Sequence, residues 1–178
     1  MFGGLRKPKS VRIAGKRLSD ILEAHARFAR AAEGGARAEL TGANLARVDL
    51  SGAVLTHANL AGARLDGASL RESKLTSADL SGAKLKYADL RTCDATGASF
   101  AGADLTGADL SGAELFRADF SGTVLRQSKV RAANFRQANL RNADLTGADL
   151  NTASLRQTEL EGAKLEGADL QTSIIRKI

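Results

Sequence analysis

From Ala36 to Ile175 the hydrophobic positions recur every five residues through 28 consecutive units, with no insertion. The central position runs Leu40, Leu45, Leu50 and onward to Leu170 and Ile175. It is Leu in 22 units, Phe at Phe100, Phe120 and Phe135, and otherwise Val130, Ile175 or Ala95. Two residues before the centre, Ala fills 21 of the units, with Ser, Thr, Cys93 or Val48 in the rest. The residue between these two is mostly polar, often Asp or Asn, and the second residue after the centre is often Gly. A strict period of five rules out an α-helix, around which the apolar stripe would drift. Small-apolar, polar, large-apolar alternation fits a short extended segment with two inward side chains. The Gly-rich position supplies a turn. Short segments joined by regular turns close into a coil, and the coils stack by parallel pairing. Ala suits the crowded walls and Leu the axis, so the interior is expected to be filled, leaving no ligand cavity.

The chain ahead of the repeats reads differently. Leu18, Ile21, Leu22, His25, Phe28, Ala29 and Ala32 form one apolar stripe at helical spacing. The signals predict a helix over 18–35, capped by Ser19, with Asp20 and Glu23 in its first turn and Gly34-Gly35 ending it. Such a helix is expected to lie as a lid over the first coil, with His25 a packed residue and not a ligand, because a stacked coil exposes its core and an open ladder edge at each end. Residues 1–17 are basic, contain the single proline and lack periodicity before Val11-Arg12-Ile13, so a flexible arm is expected, its first ten residues disordered. No comparable helix is expected after the last coil. Ile174 and Ile178 leave that end apolar, which suggests end-to-end homodimerisation; a final strand folded over the last coil is the plainer alternative.

The run Ala-Asp-Leu-Ser-Gly at 78–82, with Ala-Asp-Leu-Thr-Gly at 103–107 and 143–147, resembles the pentapeptide-repeat family. The resemblance covers 140 of the 178 residues. It implies an all-β solenoid, a right-handed quadrilateral β-helix with four units per coil, hence about seven coils behind an N-terminal capping helix. At a strand spacing of about 4.8 Å such a rod is roughly 34 Å long. Ala95 followed by Phe100 then reads as volume compensation within one coil. Cys93 takes an inward position in that coil, as a buried substitute for Ala and not a reactive thiol.

Charge changes the picture in one respect. The formal net charge is +6, of which residues 1–35 carry +5 and the repeats only +1. A single cysteine excludes an internal disulfide framework and suits a reducing compartment. With no run long enough for a membrane span or a signal-peptide core, a cytoplasmic protein is expected.

Residues twenty apart stack on one face of such a rod. One column then carries Glu39, Asn59, Asp79, Ser99, Asp119, Asn139 and Glu159; the opposite one carries Asp49, Ser69, Asp89, Asp109, Lys129, Asp149 and Asp169. Some pentapeptide-repeat proteins resemble duplex DNA in shape and charge and bind DNA gyrase or topoisomerase IV, so the resemblance allows a DNA mimic. Against it, the Asp/Asn position belongs to the repeat itself, and a near-neutral body is a poor imitation of a phosphate field. The last face stacks Phe116, Arg136, Arg156 and Arg176, beside Arg117, Gln137, Gln157 and Lys177. Cations about 4.8 Å apart repel by roughly 1 kcal/mol even in water, which an acidic partner would relieve. Phe116 reads as an exposed aromatic anchor in this candidate interaction face. Long Arg side chains fanned apart over the wall are the plainer alternative. Tyr87 and His57 point outward in isolation.

Catalytic signals are absent from the sequence. Its glycines follow the repeat and not a phosphate-binding loop. His25 and His57 lack partners at metal-ligand spacing. The carboxylates sit on convex walls, where burial cannot tune them. The reading is a non-enzymatic protein-interaction module without metal or cofactor, which shows charged faces to a protein partner. A gyrase-directed DNA mimic is the first alternative. The second is a nucleic-acid or anionic-surface binder using the basic arm and the Arg face, with direct nucleic-acid binding the less favoured.

Overall fold

The computed structural model describes residues 4–171 and Ser173. From Glu39 onward, single-residue parallel bridges join positions twenty apart: Glu39↔Asn59, Asn44↔Arg64, Asp49↔Ser69 and Val54↔Lys74 begin four columns that continue to Glu159, Lys164, Asp169 and Ser154. Four five-residue units therefore make each coil, and we name the faces by their first residues: the Glu39, Asn44, Asp49 and Val54 faces.

Each corner is closed the same way. The amide of Ala43 donates to the Leu40 carbonyl at 3.0 Å, and the equivalent bond recurs in unit after unit. The third residue of that four-residue turn has positive φ, as at Gly42 (64°), which is the requirement of a type II turn. Glycine is preferred there but not obligatory: Asn142 (57°) and Gln127 (54°) adopt the same conformation. The polar residue before each centre serves the same corner. One carboxylate oxygen of Asp79, Asp109 and Asp119 accepts the amide two residues on, at 2.9, 3.0 and 2.9 Å. This Asx turn explains why Asp and Asn dominate that position.

The central residues and the small inward residues are buried along the axis from Leu40 to Leu155, except Ala53, which is partly buried. Phe100 and Phe120, one coil apart, stack with ring centroids at 4.7 Å and planes 9° apart; Phe135 meets Phe120 edge-on at 5.3 Å. Hydroxyls in the Ala position are tolerated because each finds a carbonyl: Ser73 donates to Leu70, Ser128 to Leu125 and Thr123 to Phe100. Near the C-terminal end Leu160, Leu165 and Leu170 are only partly buried.

The N-terminal segment departs from expectation in three ways. First, its arm is docked where a flexible segment was expected. Arg6 pairs in parallel with Val48, Lys7 reaches Asp49 at 2.9 Å, and Val11 is buried in the core. A short 3-10 turn (Pro8–Ser10) leads into a two-stranded hairpin, β1 (Arg12–Ile13) and β2 (Lys16–Arg17), whose Ala14-Gly15 turn has both φ angles positive, as in a type I′ hairpin. Second, α1 spans Leu18–Phe28 and not 18–35. Ala31 adopts φ 52°, and the amides of Ala32 and Ala31 return to the Arg27 and Phe28 carbonyls, a Schellman closure that stops the helix before the glycines. Gly35 has another role: a Cβ there would lie 2.4 Å from the Phe28 amide nitrogen. Third, the cap residue is Arg17, not Ser19, whose hydroxyl instead donates to Asp20. Leu18 and His25 are buried and Ile21 and Leu22 pack on the core, but the short helix leaves Phe28, Ala29 and Ala32 exposed.

Candidate interaction face

The corner following the Val54 face carries Thr56, Thr76, Thr96, Phe116, Arg136 and Arg156 in one column, and the ladder brings the last three together on successive coils. Phe116 is half-buried and not an exposed anchor, because the Arg117 guanidinium lies over its ring, 4.9 Å from the centroid. Arg117 Nε donates to Gln137 Oε1 at 2.8 Å, and Gln137 Nε2 donates to Gln157 Oε1 at 3.0 Å, so the adjoining column is a hydrogen-bonded side-chain ladder. This ties Arg117 down. Arg136 and Arg156 are exposed and take part in no ion pair among the described residues. Arg176 and Lys177, assigned to the same face, and Ile174 and Ile178, assigned to the C-terminal end, lie outside the described residues.

Sequence reasoning missed the rule that sets these two arginines apart. The residue just after a centre reaches the residue just before the centre on the next coil, eighteen positions on. Lys86 meets Asp104 at 3.2 Å, Arg126 meets Asp144 at 2.7 Å, Arg141 meets Glu159 at 3.1 Å, and Arg131 binds Asp149. Arg91 holds Asp89 at 2.5 Å and approaches Asp109 at 3.9 Å. Opposite Arg136 the same rule places Ser154, which has no charge to offer. The signal, opposite charges eighteen apart, stands in the sequence once the coil length is known.

Against burial, which favours the neutral acid, the hydrogen bonds and ion pairs hold the Asp89, Asp104 and Asp149 carboxyls below their ordinary value. Asp144 falls to about 2, chiefly because the Thr146 hydroxyl donates to it, with Arg126 adding to the effect. Asp49 is lowered by its hydrogen bond from Lys7. Cys93 is buried, and desolvation pushes its thiol up to about 12, so it carries no thiolate near neutrality. Among the described residues no group of three or more His, Cys, Asp or Glu could hold a metal ion, and no helix is long and apolar enough to cross a membrane.

Solved structures similar to this chain include HetL, a pentapeptide repeat protein involved in heterocyst differentiation regulation from the cyanobacterium Nostoc sp. strain PCC 7120. It is 31% identical, over 79% of this chain and 71% of HetL, with a TM-score of 0.48. The pentapeptide repeat protein alr5209 from Nostoc PCC 7120 is 34% identical over 69% of this chain and 84% of its own, at a TM-score of 0.40. Full-length QnrB1, a plasmid-mediated fluoroquinolone resistance protein, is 20% identical over 73% of this chain and 80% of its own, at 0.34. No curated protein matches the chain. The family model for pentapeptide repeats matches residues 36–72, 73–112, 96–131, 113–151 and 133–171. Its members fold as quadrilateral, right-handed β-helices, and with a four-unit coil built on that repeat, this chain belongs to the pentapeptide repeat family.

Proposed function

We propose that this protein is a non-enzymatic interaction module, a rod of about seven coils that presents the Arg136–Arg156 corner to an acidic protein surface. One observation carries the reading. Lys86, Arg126, Arg131 and Arg141 at the equivalent corner position are each paired with an acid eighteen residues on, and Arg71 and Arg91 pair with Glu72 and Asp89, whereas Arg136 faces Ser154 and shares its column with Arg156. Two adjacent, uncompensated guanidiniums on a rigid backbone are preorganised donors for carboxylates. Crosslinking and affinity capture with wild type and with Arg136→Glu/Arg156→Glu test this. Loss of salt-sensitive partners from the variant is expected; recovery of the same partners by both proteins rejects the face.

In this reading α1 and the hairpin serve as the lid of the first coil, and the partly exposed Leu160, Leu165 and Leu170 end is where a second copy would meet the rod. A cytoplasmic setting accords with the lone, inward-facing Cys93. DNA mimicry directed at gyrase or topoisomerase IV has less support. Several acids of the two columns are engaged by turn amides, as Asp79 and Asp119 are, or by a nearby arginine, as Asp89 and Asp149 are, which reduces the field they project. A supercoiling assay separates the readings, since a mimic inhibits or protects gyrase at micromolar protein. Direct binding of nucleic acid has less support again, because Arg6 and Lys7 of the basic arm are bound to the first coil. Retardation of DNA at low salt would revive it.

A further inference from the structure

His25 is fully buried where α1 meets the first coil, and its chemistry there is unusual. Nδ1 accepts the Ala38 amide at 3.0 Å, so the neutral ring must carry its proton on Nε2. Nε2 is itself buried and has no hydrogen-bond partner. The ring stacks on Phe28 of its own helix, with centroids 5.6 Å apart. The charged groups that act on it are Arg37 of the first coil and His57 one coil on, the former donating from Nε to the His57 carbonyl at 2.7 Å. None of the leading influences on its titration is a carboxylate. A second proton can go only to Nδ1, where it would confront the Ala38 N–H donor to donor. It would also add a buried positive charge beside Arg37.

We propose that His25 is a proton-operated latch: protonation breaks the Nδ1–Ala38 bond and releases α1 from the first coil. The inference rests on reading α1 as the lid. Release would remove α1 from beside a ladder edge that is open to pairing, because Glu39, exposed and the first rung of its column, bonds downward, to Asn59 through its flanking residues. The bond from Ala36 N–H to the Ala24 carbonyl, at 3.1 Å, is the other hydrogen-bonded tether between the helix and the start of the repeats.

The direction of the pH dependence follows from burial, which lowers the folded-state pKa of His25 below its ordinary 6.5, against the Thr56 and Ala36 carbonyls, which favour the proton. Docking is therefore at full strength above 6.5. It weakens as pH falls below that value, until the depressed folded pKa is passed.

Amide hydrogen exchange between pH 8 and 5, corrected for the intrinsic rate, tests the latch on the full chain. Protection at Ala38 and in the second half of α1 should fall about tenfold per pH unit within the window, while the mid-rod amides of Leu85 and Leu105 stay unchanged. His25→Asn, whose amide oxygen can accept the Ala38 N–H but cannot titrate, should remove the pH dependence; His57→Gln should keep it. Flat protection at Ala38 in wild type, or an equal fall in His25→Asn, overturns the latch and leaves the lid standing. Ala38 and α1 unprotected even at pH 8 would refute the lid and the latch together. Should His25→Asn fail to dock, the NMR titration of the His25 ring in wild type decides. A midpoint below 6.5 that coincides with the loss of Ala38 protection supports the latch, and a midpoint at the ordinary value with Ala38 unaffected overturns it.

Discussion

Replacement of Phe120 by Leu should destabilise the rod out of proportion to the volume removed, because Phe120 is the shared member of two aromatic contacts. Its ring lies parallel to Phe100 at 4.7 Å and meets Phe135 edge-on at 5.3 Å, all three fully buried. Such pairs contribute about 0.5–1.5 kcal/mol each beyond the area they bury. Phe120→Leu loses both, so about 1–3 kcal/mol is expected from the contacts, with a further cost wherever the neighbours fail to close the space. Phe100→Leu loses one. In the double variant the Phe100–Phe120 pair is lost only once, so the two single costs should exceed the cost of the double by about 0.5–1.5 kcal/mol. Equilibrium urea unfolding of the four proteins, followed by circular dichroism, measures this coupling. It is interpretable only if the slope is common to all four, which shows that the rod unfolds as one unit. Additivity within about 0.3 kcal/mol would refute the stacking argument and leave the phenylalanines as interchangeable large residues.

Ala95→Leu should overfill its coil at a cost of about 1–3 kcal/mol, and adding Phe100→Leu should recover part of it; thermal melts of the single and double variants check the compensation. Gly35→Ala should loosen α1, because the added Cβ would meet the Phe28 backbone and not a movable side chain; selective loss of Ala38 amide protection, with Leu105 unaffected, is the expected signature. Asp144 has its carboxyl lowered from 3.8 to about 2, so its contribution is complete above 3.8 and is lost as pH falls through 2. Asp144→Asn should therefore be less stable than wild type near neutrality, the gap narrowing between pH 4 and 2 in acid-unfolding curves.

The repeat was legible because each slot answers to a single physical demand. Leu105 needs only to be large and apolar, Ala103 only small, and Gly107 only to tolerate a φ of 66°. A period of five then implies a stacked coil without any long-range information, and the family resemblance supplies the four units per coil. The N-terminal segment was legible in part, since there the demands compete. Gly34-Gly35 reads as a helix terminator, yet the backbone closes earlier through Ala31, which bears the steric cost of the left-handed region for the sake of two carbonyl bonds. The docked arm was illegible for a different reason. Arg6 and Lys7 look like solvated charge, and their positions depend on a bridge to Val48 and an ion pair to Asp49 some forty residues away.

The surface charge is where periodicity alone misleads most. Read as columns, the acids of the Glu39 and Asp49 faces form stripes that imitate a polyanion. Read with the eighteen-residue diagonal, many of them belong to pairs. Asp89, Asp109, Asp149 and Glu159 each have an arginine within reach from another unit, and Asp104 has Lys86. Exposed pairs of this kind contribute little stability, yet they cancel charge at the distances where a partner would sense it. What survives as uncompensated charge is therefore set by the exceptions to the diagonal and not by the columns. Arg136, opposite Ser154, is such an exception, and Arg156 stands one coil from it in the same column. A partner that reads this rod by its field would meet Asp79 and Asp119, which no cation pairs among the described residues, on one wall and this pair of guanidiniums on another.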